Sequence, residues 1–114
     1  MAIELKEAAQ VLAALAQESR LAVYRLLVQA GPAGMAASKI AEACAISPSS
    51  LSFHLKELSH AGLLQSRQAG RFVIYSADFA RMNGLMAFLT ENCCGGNPCS
   101  PIATPACGLT TTPT

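Results

Sequence analysis

Ile46-Ser47-Pro48-Ser49-Ser50-Leu51-Ser52-Phe53-His54-Leu55-Lys56-Glu57-Leu58 is the stretch on which the fold turns. Ser47 has a side-chain oxygen to accept from the free amides of a first helical turn, and Pro48 suits the first helical position, where no amide donor is needed. Leu51, Leu55 and Leu58 recur at helical spacing and form one apolar stripe. The helix they define runs to about His60, and Gly62 ends it. Once the leucines are buried, Ser49, Ser50, Ser52, Phe53 and Lys56 are left on the outside.

The preceding residues predict three further helices. The nearest is short, from about Ala37 to Ala45, with Ile40, Ala41 and Cys44 facing inward. Before it, a helix from about Ser19 to Ala30 carries Leu21, Tyr24, Leu27 and Val28 as its buried stripe, and Gly31-Pro32 stops it. The first helix carries Leu5, Ala8, Ala9, Leu12, Leu15 and Ala16 at helical spacing. On the other side, Leu63–Arg67 and Arg71–Tyr75 read as two short strands around Gln68-Ala69-Gly70, where Gly70 supplies the positive φ of a tight hairpin.

A last helix spans about Asp78 to Asn92. Phe79, Met82, Leu85, Met86, Phe88 and Leu89 make it apolar around much of its circumference, so it needs burial on more than one side. A second copy of the chain meets that need, with Leu5, Leu12, Phe79, Met82, Met86 and Leu89 at the dimer interface. The expected fold is therefore mainly α with a small β-hairpin wing, a homodimeric winged helix-turn-helix. Residues 1–91 form the DNA-binding and dimerisation domain. Residues 92–114, rich in Gly, Pro and Thr, form a cysteine-containing tail that is flexible without ligand.

Composition limits the function classes. The chain has 114 residues, enough for one domain, and 52% of them are hydrophobic. The formal charge of +1 does not by itself mark a nucleic-acid binder, so that reading has to come from pattern. Glu4, Lys6 and Glu7 interrupt the N-terminus, which is no signal peptide, and no run approaches the ~20 apolar residues of a membrane span. The expected location is cytoplasmic, with no membrane partner and with thiols kept reduced.

In a winged helix-turn-helix the second helix of the pair enters the major groove, its early residues facing base edges. That assigns Ser49, Ser50, Ser52, Phe53, His54 and Lys56 to double-stranded operator DNA, with Arg67 and Arg71 gripping phosphates beside the hairpin tip. His54 also fits a histidine half-buried against a neighbouring helix, and Arg20 and Arg25 fit charges on solvated faces.

The segments QESRLAVYRLLV, SKIAEACAISPSSLSFHLKELSHAGLL and SRQAGRFVIYS resemble the ArsR family of bacterial metal-responsive repressors over roughly Leu5 to Leu89. The ending FLTENCCGG with Cys99 resembles the arsenite-responsive branch, whose trivalent-arsenic site lies at the end of the last helix. The founding arsenic sensors instead carry a Cys-Val-Cys pair before the reading helix. Here that region has Cys44 alone, on the apolar stripe, where it reads as a small core residue. Zinc-responsive relatives use Asp, His and Glu across the last helix, and Phe79 to Thr90 contains none of these.

The resemblance thus implies a metal site of Cys93, Cys94 and Cys99, with As(III) or Sb(III) as inducer and no organic cofactor. Three thiolates are a soft donor set and complete the pyramid of a trivalent arsenic with its lone pair. Neighbouring helical residues point about 100° apart, so the helix has to end near Asn92 for Cys93 and Cys94 to converge, and Gly95-Gly96 has to turn Cys99 back. The negative end of a helix raises thiol pKa values, so the bound ion must drive deprotonation. Cys107 reads as a spectator. Two alternatives stay open: a thiol-redox or Cd/Pb/Zn-responsive repressor of the same fold, and a winged-helix interaction module that binds no DNA. An enzyme is not expected, because no cysteine sits in an anion-binding loop at a helix N-terminus.

Overall fold

The computed structural model describes residues 3–91, and Cys93, Cys94, Cys99 and Cys107 lie outside them. Five helices and three strands follow in the order α1 (Leu5–Leu15), α2 (Glu18–Ala30), β1 (Met35–Ala36), α3 (Ala37–Cys44), α4 (Pro48–His60), β2 (Leu64–Ala69), β3 (Phe72–Ala77) and α5 (Phe79–Thr90), with a 3-10 turn over Gly31–Ala33. No helix among the described residues is long and apolar enough to cross a membrane. The sheet is antiparallel in the order β1-β3-β2. This is the expected winged helix-turn-helix, with one strand more than a hairpin supplies.

One core runs through the fold. Val11, Val23, Tyr24, Leu27, Ile40, Leu51, Leu55, Leu58, Leu63 and Leu85 are all buried in it. The stripe predicted for α4 is therefore the stripe that is buried. Two other stripes differ. In α1 the buried positions are Ala8 and Val11, while Leu5 and Leu12 are exposed. In α2 Val23 joins Tyr24 and Leu27 inside, while Leu21 and Val28 are exposed. Both helices carry two apolar faces, and the inward one is chosen by the neighbour each must meet. Burial and the negative charge of Asp78 push the phenol of Tyr24 up to about 12, so it stays neutral at any physiological pH.

The turn between α3 and α4 is closed by two backbone bonds. The Ile46 amide donates to the Ala41 carbonyl over 3.0 Å, and the Ala45 amide to the Glu42 carbonyl over 3.3 Å. This is a Schellman closure with Ala45 in the left-handed region at φ 55°, ψ 46°, a position glycine usually takes. Ile46 then packs against the core, which brings Ser47 to the start of α4.

The short strand β1 escapes sequence reading because two residues show no alternation. Its register, Met35 opposite Tyr75, depends on Gly34 at φ +70°, where an added Cβ would collide with the Tyr75 carbonyl oxygen. Each wing strand starts one residue later than expected and ends two residues later, at Ala69 and Ala77, so Gln68 and Ala69 belong to β2 rather than to the turn.

Arg81 fastens α5. Its amide is capped by Asp78 Oδ1 at 2.9 Å, and its Nε donates to the Ala61 carbonyl at the end of α4 over 3.1 Å. Its Nη1 stands 3.8 Å from Glu7 Oε2 of α1.

Two substitutions test the backbone account. Ala45→Gly is expected to raise the unfolding free energy by about 0.5–1 kcal/mol, because relief of left-handed strain (about 1–2 kcal/mol) outweighs the added chain entropy. Gly34→Ala is expected to lower it by more than about 2 kcal/mol, combining a disfavoured φ with a backbone collision. Urea denaturation of the purified variants measures both.

Candidate nucleic-acid interface

The first turn of α4 is built by its cap. Ser47 Oγ accepts from the Ser50 amide at 3.3 Å, and Pro48 occupies the first helical position. With Leu51, Leu55 and Leu58 buried, Ser49, Ser50, Ser52, Phe53 and Lys56 are all exposed on one continuous surface. The structure thus brings these five residues together. His54 stands apart: it is half-buried, and its Nδ1 is enclosed with no hydrogen-bond partner among the described residues.

The wing turns through Gly70-Arg71, with Ala69 paired to Phe72. Gly70 has φ +64° and Arg71 is not left-handed, the pattern of a type II′ hairpin. Arg71 stands at the tip. Arg67 does not flank it: it pairs with Ile74 down the strand, and its guanidinium reaches over β3 to donate to the Ala33 carbonyl at 2.9 Å. That bond ties the wing to the turn after α2.

Two residues that sequence reading passed over stand out here. Phe72, exposed beside Arg71, puts an aromatic ring at the wing tip. The adjacent Gly-Arg-Phe order was its available signal. Arg20 is not a plain solvated charge: its Cζ lies 5.9 Å from the Phe53 ring centre, and its Nε is buried without a partner among the described residues. No sequence pattern announces a contact between positions so far apart.

Residues 15–67 match the family described as a helix-turn-helix domain. An ArsR-like transcriptional regulator from Rhodococcus sp. RHA1 is 33% identical over 76% of this chain and 78% of that one, with a TM-score of 0.66. The chain belongs to the ArsR family of transcriptional regulators. A second ArsR-family likeness is the homodimeric winged helix-turn-helix DNA-binding domain of a possible regulator from Mycobacterium bovis, 31% identical over 77% of this chain and 82% of that one, with a TM-score of 0.62. A protein described as a possible transcriptional regulator for arsenical resistance is 29% identical over 72% and 81% of the two chains, with a TM-score of 0.60. No curated protein matches the chain. The fold of this ArsR-family member is that of a DNA-binding regulator rather than of an enzyme.

The positions assigned to a dimer interface divide in two. Leu5 (73% exposed), Leu12 (44%), Met86 (40%) and Leu89 (55%) face outward, whereas Phe79 and Met82 are half-buried against the chain's own core. At the far end, α5 stops at Thr90 and Glu91 is extended, two positions before Cys93. Cys44 is half-buried, and burial pushes its thiol pKa up, in keeping with a core residue. Among the described residues no group of three or more His, Cys, Asp and Glu can hold a metal ion.

These positions separate the cations. Lys56→Ala and Arg71→Ala are each expected to weaken binding to all duplexes alike and to reduce the slope of log affinity against log salt by roughly one unit. Arg67→Ala is expected to change the slope less and to lower thermal stability, because its guanidinium is engaged at Ala33. Fluorescence anisotropy across a salt series, with a melting curve for each variant, measures both.

Proposed function

We propose that the chain represses transcription as a homodimer on double-stranded operator DNA, and that As(III) or Sb(III) held by Cys93, Cys94 and Cys99 releases it. In this reading Ser49, Ser50, Ser52 and Phe53 face base edges, with His54 at the side of that surface. Lys56 and Arg71 contact phosphates, and Arg67 supports the wing. The observation that carries the reading is a juxtaposition. Leu5 and Leu12 of α1 and Met86 and Leu89 of α5 leave apolar surface open on two helices that touch, and the cysteine run begins three residues past α5.

Two likenesses support it. The M. bovis domain is described as homodimeric, and another similar protein as a possible regulator for arsenical resistance. The donor set fits as well: three thiolates are soft ligands, suited to a thiophilic trivalent ion rather than to a hard cation. The bound ion supplies the charge that keeps the thiolates deprotonated, in a segment with no Lys or Arg from Asn92 to Thr114.

In this mechanism α1 and α5 pack against their counterparts across a two-fold axis, setting the two α4 helices about 34–36 Å apart, one turn of DNA. Capture of the ion engages the chain immediately beyond α5, so the ligand acts on the element that sets this spacing. Ion and operator then favour different dimer geometries.

Leu5→Glu with Leu89→Glu is expected to yield a folded monomer, since both side chains are exposed in the single chain, and to lose tight operator binding. Sedimentation velocity and circular dichroism read the two properties. A dimer that persists in this variant would refute the α1–α5 interface.

Cys93→Ser, Cys94→Ser and Cys99→Ser are each expected to abolish or strongly weaken arsenite-induced release of labelled operator, while Cys44→Ser and Cys107→Ser retain it. Linkage adds a reciprocal requirement: saturating operator must weaken arsenite binding by the same factor by which arsenite weakens operator binding. Equal arsenite affinities with and without DNA would rule out allosteric release.

A further inference from the structure

We infer that Phe53 reads the C5 methyl of a thymine in the major groove, and that Arg20 is the positioning residue that holds its ring for the task. The inference rests on the operator-binding reading above and names the base that this surface selects.

Phe53 lies two residues from each of Leu51 and Leu55. At about 100° per residue it is about 200° round the helix from both, directly opposite the buried stripe. A large apolar ring thus occupies the middle of the solvent face of α4, 56% exposed and outside the core. Its surroundings are hydroxyls and a cation: Ser49, Ser52 and Lys56 lie on the same face.

From Pro48 to His60 the helix contains no Arg, Asn or Gln to pair bidentately with guanine or adenine in the major groove, and its one lysine, Lys56, is placed on a phosphate in the reading above. Serine hydroxyls bond donors and acceptors alike and discriminate weakly. With Lys56 on a phosphate, Phe53 is the exposed residue of α4 with the sharpest base preference. An aromatic ring in the major groove has one apolar target on a base edge, the methyl group of thymine.

Two side chains border the ring. Arg20 of α2 stacks on it, Cζ to centroid 5.9 Å, and the His54 ring stands at 61° with centroids 6.0 Å apart. Arg20 Nε is enclosed without a hydrogen-bond partner among the described residues, and its guanidinium lies over the Phe53 ring. Cation–π attraction of this kind strengthens when water is excluded, as it is against DNA. Fixing the ring beforehand removes ordering entropy from the binding step.

The test uses the full-length dimer and a duplex selected by it from a randomised library. Each thymine of that duplex is replaced in turn by deoxyuridine, which removes only the methyl. At one thymine per half-site, the replacement is expected to weaken wild-type binding roughly fourfold, the value of one buried methyl-sized group. Phe53→Ala should bind the two duplexes equally, and Phe53→Leu should restore part of the difference. In Arg20→Ala the thymine-to-deoxyuridine ratio should fall toward one, an effect that loss of a phosphate contact alone would not produce.

Wild-type indifference to every replacement would overturn the thymine reading while leaving operator binding intact. So would an unchanged ratio in Phe53→Ala, which would place the methyl against another residue. An unchanged ratio in Arg20→Ala would remove Arg20 from the proposal. Failure to enrich any duplex would overturn operator binding itself, and this inference with it.

Discussion

Leu51, Leu55 and Leu58 seat α4 among α1, α2, α3 and β2, and the rest of the structure is arranged around that seating. Each buried leucine contributes about 1.5–3 kcal/mol from removal of apolar surface from water. The same burial fixes rotation about the helix axis. A slip of one residue would turn the helix by about 100° and bring serines or Lys56 into the core. The Ser47 cap and the Ala45 turn fix the remaining freedom, translation along the axis. Stability and presentation of a surface are thus set by one set of contacts. In the proposed function, DNA meets the face that the core does not use.

How much of this was legible in the sequence depended on whether one signal or two competed at a position. α4 was legible almost to the residue because cap, proline and stripe agree on one register. α1 and α2 were legible as helices, but their inward faces only in part: Ala8, Tyr24 and Leu27 are buried as expected, and Leu5, Leu12, Leu21 and Val28 are not. Leu5 and Leu12, and likewise Leu21 and Val28, repeat every seven residues as convincingly as the face that is buried. Larger side chains score higher in any periodicity, while the neighbour decides burial. The strand Met35–Ala36 left no trace because its cause is long-range, a pairing with Ile74 and Tyr75. The same holds for Arg67 at Ala33 and Arg20 over Phe53, contacts between residues that only the fold brings together. The cysteine run lies outside the described residues, and its reading rests on its donor set alone.

A formal charge of +1 leaves little long-range attraction for a polyanion. A protein so composed has to rely on a few cations placed at short range and on the fit of its reading surface. In the proposed reading Lys56 on α4 and Arg71 at the wing tip supply the cations, and the serines of the first turn keep side chains small enough for close approach. Arg67 illustrates the other use of a cation: its bond to the Ala33 carbonyl keeps the wing at a set angle to the helical body.

The contacts of Arg81 give α5 unequal ends. At its first turn the helix is tied to Asp78, to the Ala61 carbonyl and to Glu7, whereas Met86 and Leu89 near its other end face outward. Mechanically this is a lever with its fulcrum at Arg81. The distance from there to Thr90 is about 13 Å at the helical rise, so moving the free end by about 2 Å turns the helix through roughly 8°.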